Sequence, residues 1–90
     1  MKSNHLFEKY LAQVSPDIRE EVRLNIDISN RIHEIMMRKK MTQKDLAVKM
    51  GKRESEISRW LTGGHGFTTS SLAKISIALG EPVITVTYSD

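Results

Sequence analysis

The side chains with the most usable chemistry lie close together. Ser55, Ser58, Arg59 and Thr62 recur at three- and four-residue spacing, which puts them on one face of a helix. That face is short, polar and basic, and it suits recognition by hydrogen bonds, above all through the planar fork of the arginine. Catalysis fits poorly. His5, His33 and His65 are scattered, with no HxxxH spacing and no paired acid motif around them, and His33 beside Glu34 reads as surface. Cysteine is absent, so neither a disulfide nor a thiolate metal site is available. Met36, Met37, Met41 and Met50 read as core filling. The run from Gly63 to Gly66 is a loop without a Walker-type lysine and serine, so it is no nucleotide cradle. A binding protein without catalytic residues, metal or cofactor is expected.

Two helices must position the polar face. Thr42 offers an N-cap, and Asp45 three residues on is the acidic partner of a capping box, so the first helix begins here. Leu46, Ala47 and Met50 fall on one side, Gln43, Lys44 and Lys49 are polar, and the small Ala47 lets another helix approach. Gly51 stops this helix, since glycine takes the left-handed conformation without a Cβ penalty. In the second helix Ile57 and Leu61 point inward and Trp60 lies at the margin. Alanine, glycine four residues later and an inward isoleucine six further on form the pattern of a helix-turn-helix, whose second helix lies in the DNA major groove.

TQKDLAVKMG, followed by SEISRWLTG and LAKISIALG, resembles the XRE family of phage-repressor and Cro-like domains over roughly residues 26–80. The expected fold class is therefore all-α: a lambda-repressor-like helix-turn-helix bundle over 26–80, an N-terminal helical arm over 1–25, and a tail over 81–90 with a short β-strand. The resemblance implies base contacts from Arg53, Glu54, Ser55 and Arg59, with Ser58 and Thr62 on the same face. An arginine donating twice to O6 and N7 of guanine is worth about 1–3 kcal/mol of discrimination. Glu54 could accept from a cytosine amino group, but phosphates repel it, so orienting Arg53 or excluding wrong sequences suits it better. Glu56 is expected to face away. Phosphate contacts are implied at helix starts, from Gln43, Lys44, Thr68, Thr69 and Ser70.

The chain departs from the family twice. Relatives commonly carry a capping serine or threonine before the position of Glu54, whereas Arg53 cannot cap in that way, so either Ser55 or water compensates or the helix start is looser than usual. The familiar fifth helix is also replaced by the strand-like tail, so dimerisation must come from elsewhere.

The remaining sequence frames this module. Ninety residues suit one domain. Fourteen Lys and Arg against eleven Asp and Glu give a net charge of +3 and a pI near 9.4, modest support for a polyanion partner. No apolar run approaches a membrane span and the N-terminus lacks a signal-peptide core, so a cytoplasmic protein is expected. Leu6, Phe7, Tyr10, Leu11 and Val14 predict a short amphipathic helix over 4–14. Ser15, Pro16 and the acids Asp17, Glu20 and Glu21 start another that runs to about Lys40. Its apolar stripe turns between Ile18, Val22 and Ile26 and Ile28, Ile32, Ile35 and Met36, implying two neighbours or a break near 25–27. Arg38, Lys39 and Lys40 close it, facing the negative helix end or phosphate. Phe67, Thr68 and Leu72 make a hydrophobic staple for a last helix with Leu72, Ala73, Ile75, Ser76 and Leu79 inward, ended by Gly80 and Pro82. PVITVTYS alternates like a strand and needs a partner edge. The extra arm and tail resemble those of antitoxins of HigBA-type and related RelE-like pairs. Beyond operator DNA and a homodimer, that resemblance implies a RelE/HigB-like toxin held by residues 1–25 or by Val83 to Ser89.

Overall fold

The computed structural model describes residues 8–9, 12–62 and 66–88. Four helices form among them: α1 (Pro16–Arg38), α2 (Gln43–Met50), α3 (Glu54–Leu61) and α4 (Thr69–Leu79). The helix expected over 4–14 and the loop at 63–65 lie largely outside the described residues.

The start of α1 has Pro16 at its first position and Asp17 in its first turn. The Ser15 hydroxyl makes no cap to the backbone. The Ser15 hydroxyl beside the Asp17 carboxylate, with backbone N–H groups, holds that carboxyl below its ordinary range. α1 continues without a break across 25–27, so the turning stripe reflects a change of surroundings along one rod. Ser29, Ile32, Ile35 and Met36 are buried in its second half, while Ile18, Val22, Leu24 and Ile26 remain 45–49% exposed in its first.

Three helices end in the same way. After α1, Met41 N donates to Met36 O at 2.8 Å and Lys40 N to Met37 O at 3.2 Å. Lys52 and Gly51 repeat this pair after α2, onto Ala47 O and Val48 O, as do Glu81 and Gly80 after α4, onto Ser76 O and Ile77 O. This double bond requires a left-handed residue, supplied by Gly51 (φ 65°) and Gly80 (φ 82°). At α1 the residue is Lys40 (φ 56°), which a side chain adopts at a cost of about 1–2 kcal/mol. Lys40→Gly is therefore expected to stabilise the fold by about 1 kcal/mol, read as a higher urea midpoint with unchanged slope.

One core joins all four helices: Ile32, Ile35 and Met36 from α1, Leu46 and Ala47 from α2, Ile57 and Trp60 from α3, Leu72, Ile75 and Leu79 from α4, closed by Val83. Five residues differ from expectation. Trp60 is buried, with the Phe67 ring 6.4 Å away and Lys52 Nζ 6.0 Å from its centroid, while Leu61 is only half-buried. Ala73 is exposed and Ser76 half-buried, its hydroxyl accepting from Val83 N of the tail. Met37 is exposed, whereas Met36, Met41 and Met50 do pack in or against the core.

The expected β-strand does not form among the described residues; the tail from Pro82 to Tyr88 carries no ladder. Among the described residues it meets no second edge, and its first residues are spent on the core. Val83 N donates to Ser76 Oγ at 3.0 Å, turning the Val83 side chain inward. Just before, Glu81 meets three cations of α1 and its C-cap: Arg38 at 2.5 Å, Arg31 at 3.3 Å and Lys39 at 3.6 Å. Lys39 Nζ also donates to Leu79 O at 2.6 Å. Two of the three basic residues ending α1 thus fasten α4 and the tail. The hydrogen bond from Arg38 and the three positive charges hold the Glu81 carboxyl below the ordinary glutamate range. The unfolded chain then binds the proton more readily, so this contribution is complete above the ordinary range and disappears as pH falls through the depressed folded value. Glu81→Gln is expected to lower stability at neutral pH and to flatten its decline between about pH 5 and 3, measured by urea unfolding at each pH.

Candidate nucleic-acid interface

The short helix α3 divides sharply around its axis. Ile57 is 0% and Trp60 7% exposed. Arg53, Glu54, Ser55, Arg59 and Thr62 are exposed and Ser58 is half-buried, so the sequence-predicted set stands together on the outer side. Four of these carry hydrogen-bonding groups short enough to stay close to the helix, and two carry guanidinium forks.

The start of α3 is secured in an unexpected way. Arg53 takes the extended N-cap conformation (φ −84°, ψ 149°) but has no acceptor to offer. Glu56 supplies the reciprocal half of a capping box, its Oε1 accepting from Arg53 N at 3.1 Å. Glu56 therefore turns back toward the helix start and satisfies the Arg53 N–H, while its own N–H donates to Arg53 O at 3.0 Å. The Arg53 N–H is the main cause holding the Glu56 carboxyl below its ordinary range, helped by Lys52 at 3.8 Å. The Arg53 side chain is left exposed at the leading end of the helix. At the other end Thr62 Oγ1 donates to Arg59 O at 2.8 Å, which leaves that hydroxyl only its lone pairs for a base.

Two further helix starts carry the residues assigned to phosphate. Thr42 and Asp45 form the full capping box that opens α2, with Asp45 N to Thr42 Oγ1 at 3.0 Å and Thr42 N to Asp45 Oδ2 at 2.9 Å. The Thr42 backbone bond is the first cause of the lowered Asp45 pKa. Lys44 is exposed and Gln43 half-buried on that first turn. At α4 the Thr68 hydroxyl accepts from Ser71 N and donates to Ser71 Oγ, each at 3.0 Å, so it caps the helix. Thr69 and Ser70 follow, exposed, on a helix end whose N–H groups and positive dipole favour an anion.

Ser29, which was not singled out from the sequence, and His33, which was read there as surface, belong with this site. Ser29 Oγ donates to Trp60 O at 2.6 Å and His33 Nε2 donates to Leu61 O at 3.2 Å, joining α1 to the end of α3. The available signal was a serine lying within the apolar stripe of Ile32, Ile35 and Met36. Among the described residues no group of three His, Asp or Glu side chains is placed to hold a metal ion.

Compared with known families, residues 32–85 match the helix-turn-helix family model. The match begins inside α1 and takes in α2, α3, α4 and the start of the tail. No curated protein and no solved structure matches the chain.

Proposed function

We propose, from the premise that this chain belongs to the XRE-type helix-turn-helix family of DNA-binding transcription regulators, that it is a sequence-specific repressor reading a double-stranded operator with α3. The observation that carries this is the division of α3, with Ile57 and Trp60 anchored in the core and Arg53, Ser55 and Arg59 free to enter a major groove. Arg59 and Arg53 donate to guanine, Ser55 and Ser58 add contacts, and Glu54 and Thr62 select against wrong bases. Gln43, Lys44, Thr69 and Ser70 hold phosphates, with Thr68 acting through its cap. The repressor needs no catalytic residue and no cofactor. No helix among the described residues is long and apolar enough to cross a membrane.

The repressor works as a homodimer on a palindrome with half-sites about 34 Å apart, and the tail becomes a strand by pairing with its copy or with a partner's edge. An autoregulating antitoxin is the second reading, favoured by exposed apolar surface away from α3: Ile18, Val22 and Ile26 on α1, and Ile84, Val86 and Tyr88 on the tail. A RelE/HigB-like toxin would be held there, by residues 1–25 or Val83 to Ser89. A stand-alone repressor has no such partner, and a pure interaction module would bind no DNA.

Binding of the purified protein to its own upstream DNA and to a scrambled duplex, across a salt series, tests the first reading. Tight, selective binding supports it; weak binding equal for both duplexes overturns it. Deleting residues 1–14 separates the other two, since a toxin complex should be lost while operator binding remains.

A further inference from the structure

The end of α3 is unlike that of the other three helices. α1, α2 and α4 close with paired bonds from the turn that follows each of them. In α3, Ser58 O accepts from Thr62 N at 3.1 Å and Arg59 O from Thr62 Oγ1 at 2.8 Å. The last two carbonyls are met from another helix: Trp60 O by Ser29 Oγ at 2.6 Å and Leu61 O by His33 Nε2 at 3.2 Å. These bonds span 31 and 28 residues of chain. Ser29 is 2% exposed and is the only buried polar residue among those described. His33 lies one helical turn further along the same face of α1, at the solvent margin.

Two attachments constrain what one cannot. A single bond lets a short helix swivel about the contact, whereas two, on adjacent carbonyls, fix both its tilt and its rotation about its own axis. Rotation matters for reading bases. A turn of about 20° moves a side chain at the roughly 5–6 Å outer radius of a helix by about 2 Å, enough to break a bidentate contact. Phosphate contacts by flexible lysines and by other helix starts tolerate such a shift.

We propose that Ser29 and His33 are positioning residues for sequence discrimination: by holding Trp60 O and Leu61 O they set the angle at which α3 presents Arg53, Ser55 and Arg59. The assignment rests on the reading of α3 as the base-reading helix. Neither residue touches DNA. Their loss lowers the preference for the operator without lowering general affinity for the duplex.

The test measures binding of wild type, Ser29→Ala, His33→Leu and His33→Gln to the upstream duplex and to a scrambled duplex at matched salt, with helicity recorded for each protein. Ser29→Ala and His33→Leu should each cut the ratio of the two affinities about fivefold, the equivalent of one net hydrogen bond, with scrambled-duplex affinity and salt slope unchanged. His33→Gln, whose amide also donates, should restore most of the ratio. His33 is exposed, so its substitution spares the core even if Ser29→Ala reduces the folded fraction. A purely structural role would lower both affinities by the same factor and leave the ratio intact, which overturns the proposal. Selective binding by wild type that survives both substitutions also overturns it, and leaves the operator reading in place. Equal binding of both duplexes by wild type would instead remove the operator reading, and the positioning role with it.

Discussion

Arg59→Ala is expected to weaken operator binding by about 5- to 150-fold, the equivalent of the roughly 1–3 kcal/mol that a bidentate arginine–guanine contact provides. Arg59 projects from the exposed face of α3, and it forms no ion pair among the described residues. Its removal therefore strands no buried charge, and the unfolding midpoint should move by no more than about 0.5 kcal/mol in stability, as for other surface substitutions. The Thr62 hydroxyl bonds the backbone carbonyl of residue 59 and survives the change. Titration against the upstream duplex and against variants altered one base pair at a time gives the decisive reading. Selectivity should relax at one position and persist at the rest. If selectivity and salt slope are both untouched, α3 does not lie in the groove as assigned. A toxin complex, where one forms, should be indifferent to this change.

Ile57→Ala, two residues earlier on the same helix, should do the opposite. Ile57 is fully buried, with 0% exposure, where α3 meets the rest of the core. Deleting its branched end removes buried apolar surface and leaves a cavity, at a cost of about 2–5 kcal/mol. For a domain of this size each kcal/mol corresponds to roughly 4–8 °C, so thermal melting should fall by about 8–40 °C. Operator affinity per folded molecule should hold at temperatures where the variant remains folded. Leu61→Ala is the internal comparison. Leu61 is half-buried, so its loss should be the smaller of the two, whereas equal burial of Ile57 and Leu61, as their spacing suggested, would make the losses alike.

Local chemistry made much of this fold legible. Thr42 with Asp45, Gly51 and Gly80 announced where helices start and stop because each acts on backbone within a few residues of itself. The outward set on α3 was legible for the same reason, since helical periodicity alone separates Ser55 and Arg59 from Ile57. What could not be read depended on partners distant in sequence. Trp60 rather than Leu61 is the buried residue because Phe67 and Lys52 meet its ring. Glu56 is a local exception: it was expected to face away, yet its carboxylate accepts from the N–H of Arg53 only three residues earlier. Ser29 and His33 acquire their role only when α3 is brought against α1. The tail has the alternation of a strand, but alternation specifies only which residues share a face. A ladder needs a second edge, and no periodicity within one chain reveals whether it exists.

The division of α1 gives the helix two clocks. At 23 residues it is a continuous rod of about 34 Å, yet only its second half shares the core. Amide protons from Ile32 to Met36 should exchange with solvent only when the whole domain opens, while those between Arg19 and Asn25 should exchange through fraying that leaves the core intact. A molecule that seats itself on Ile18, Val22 and Ile26 would slow the second clock and leave the first unchanged, so the protection of those few amides reports occupancy of that surface whatever its occupant.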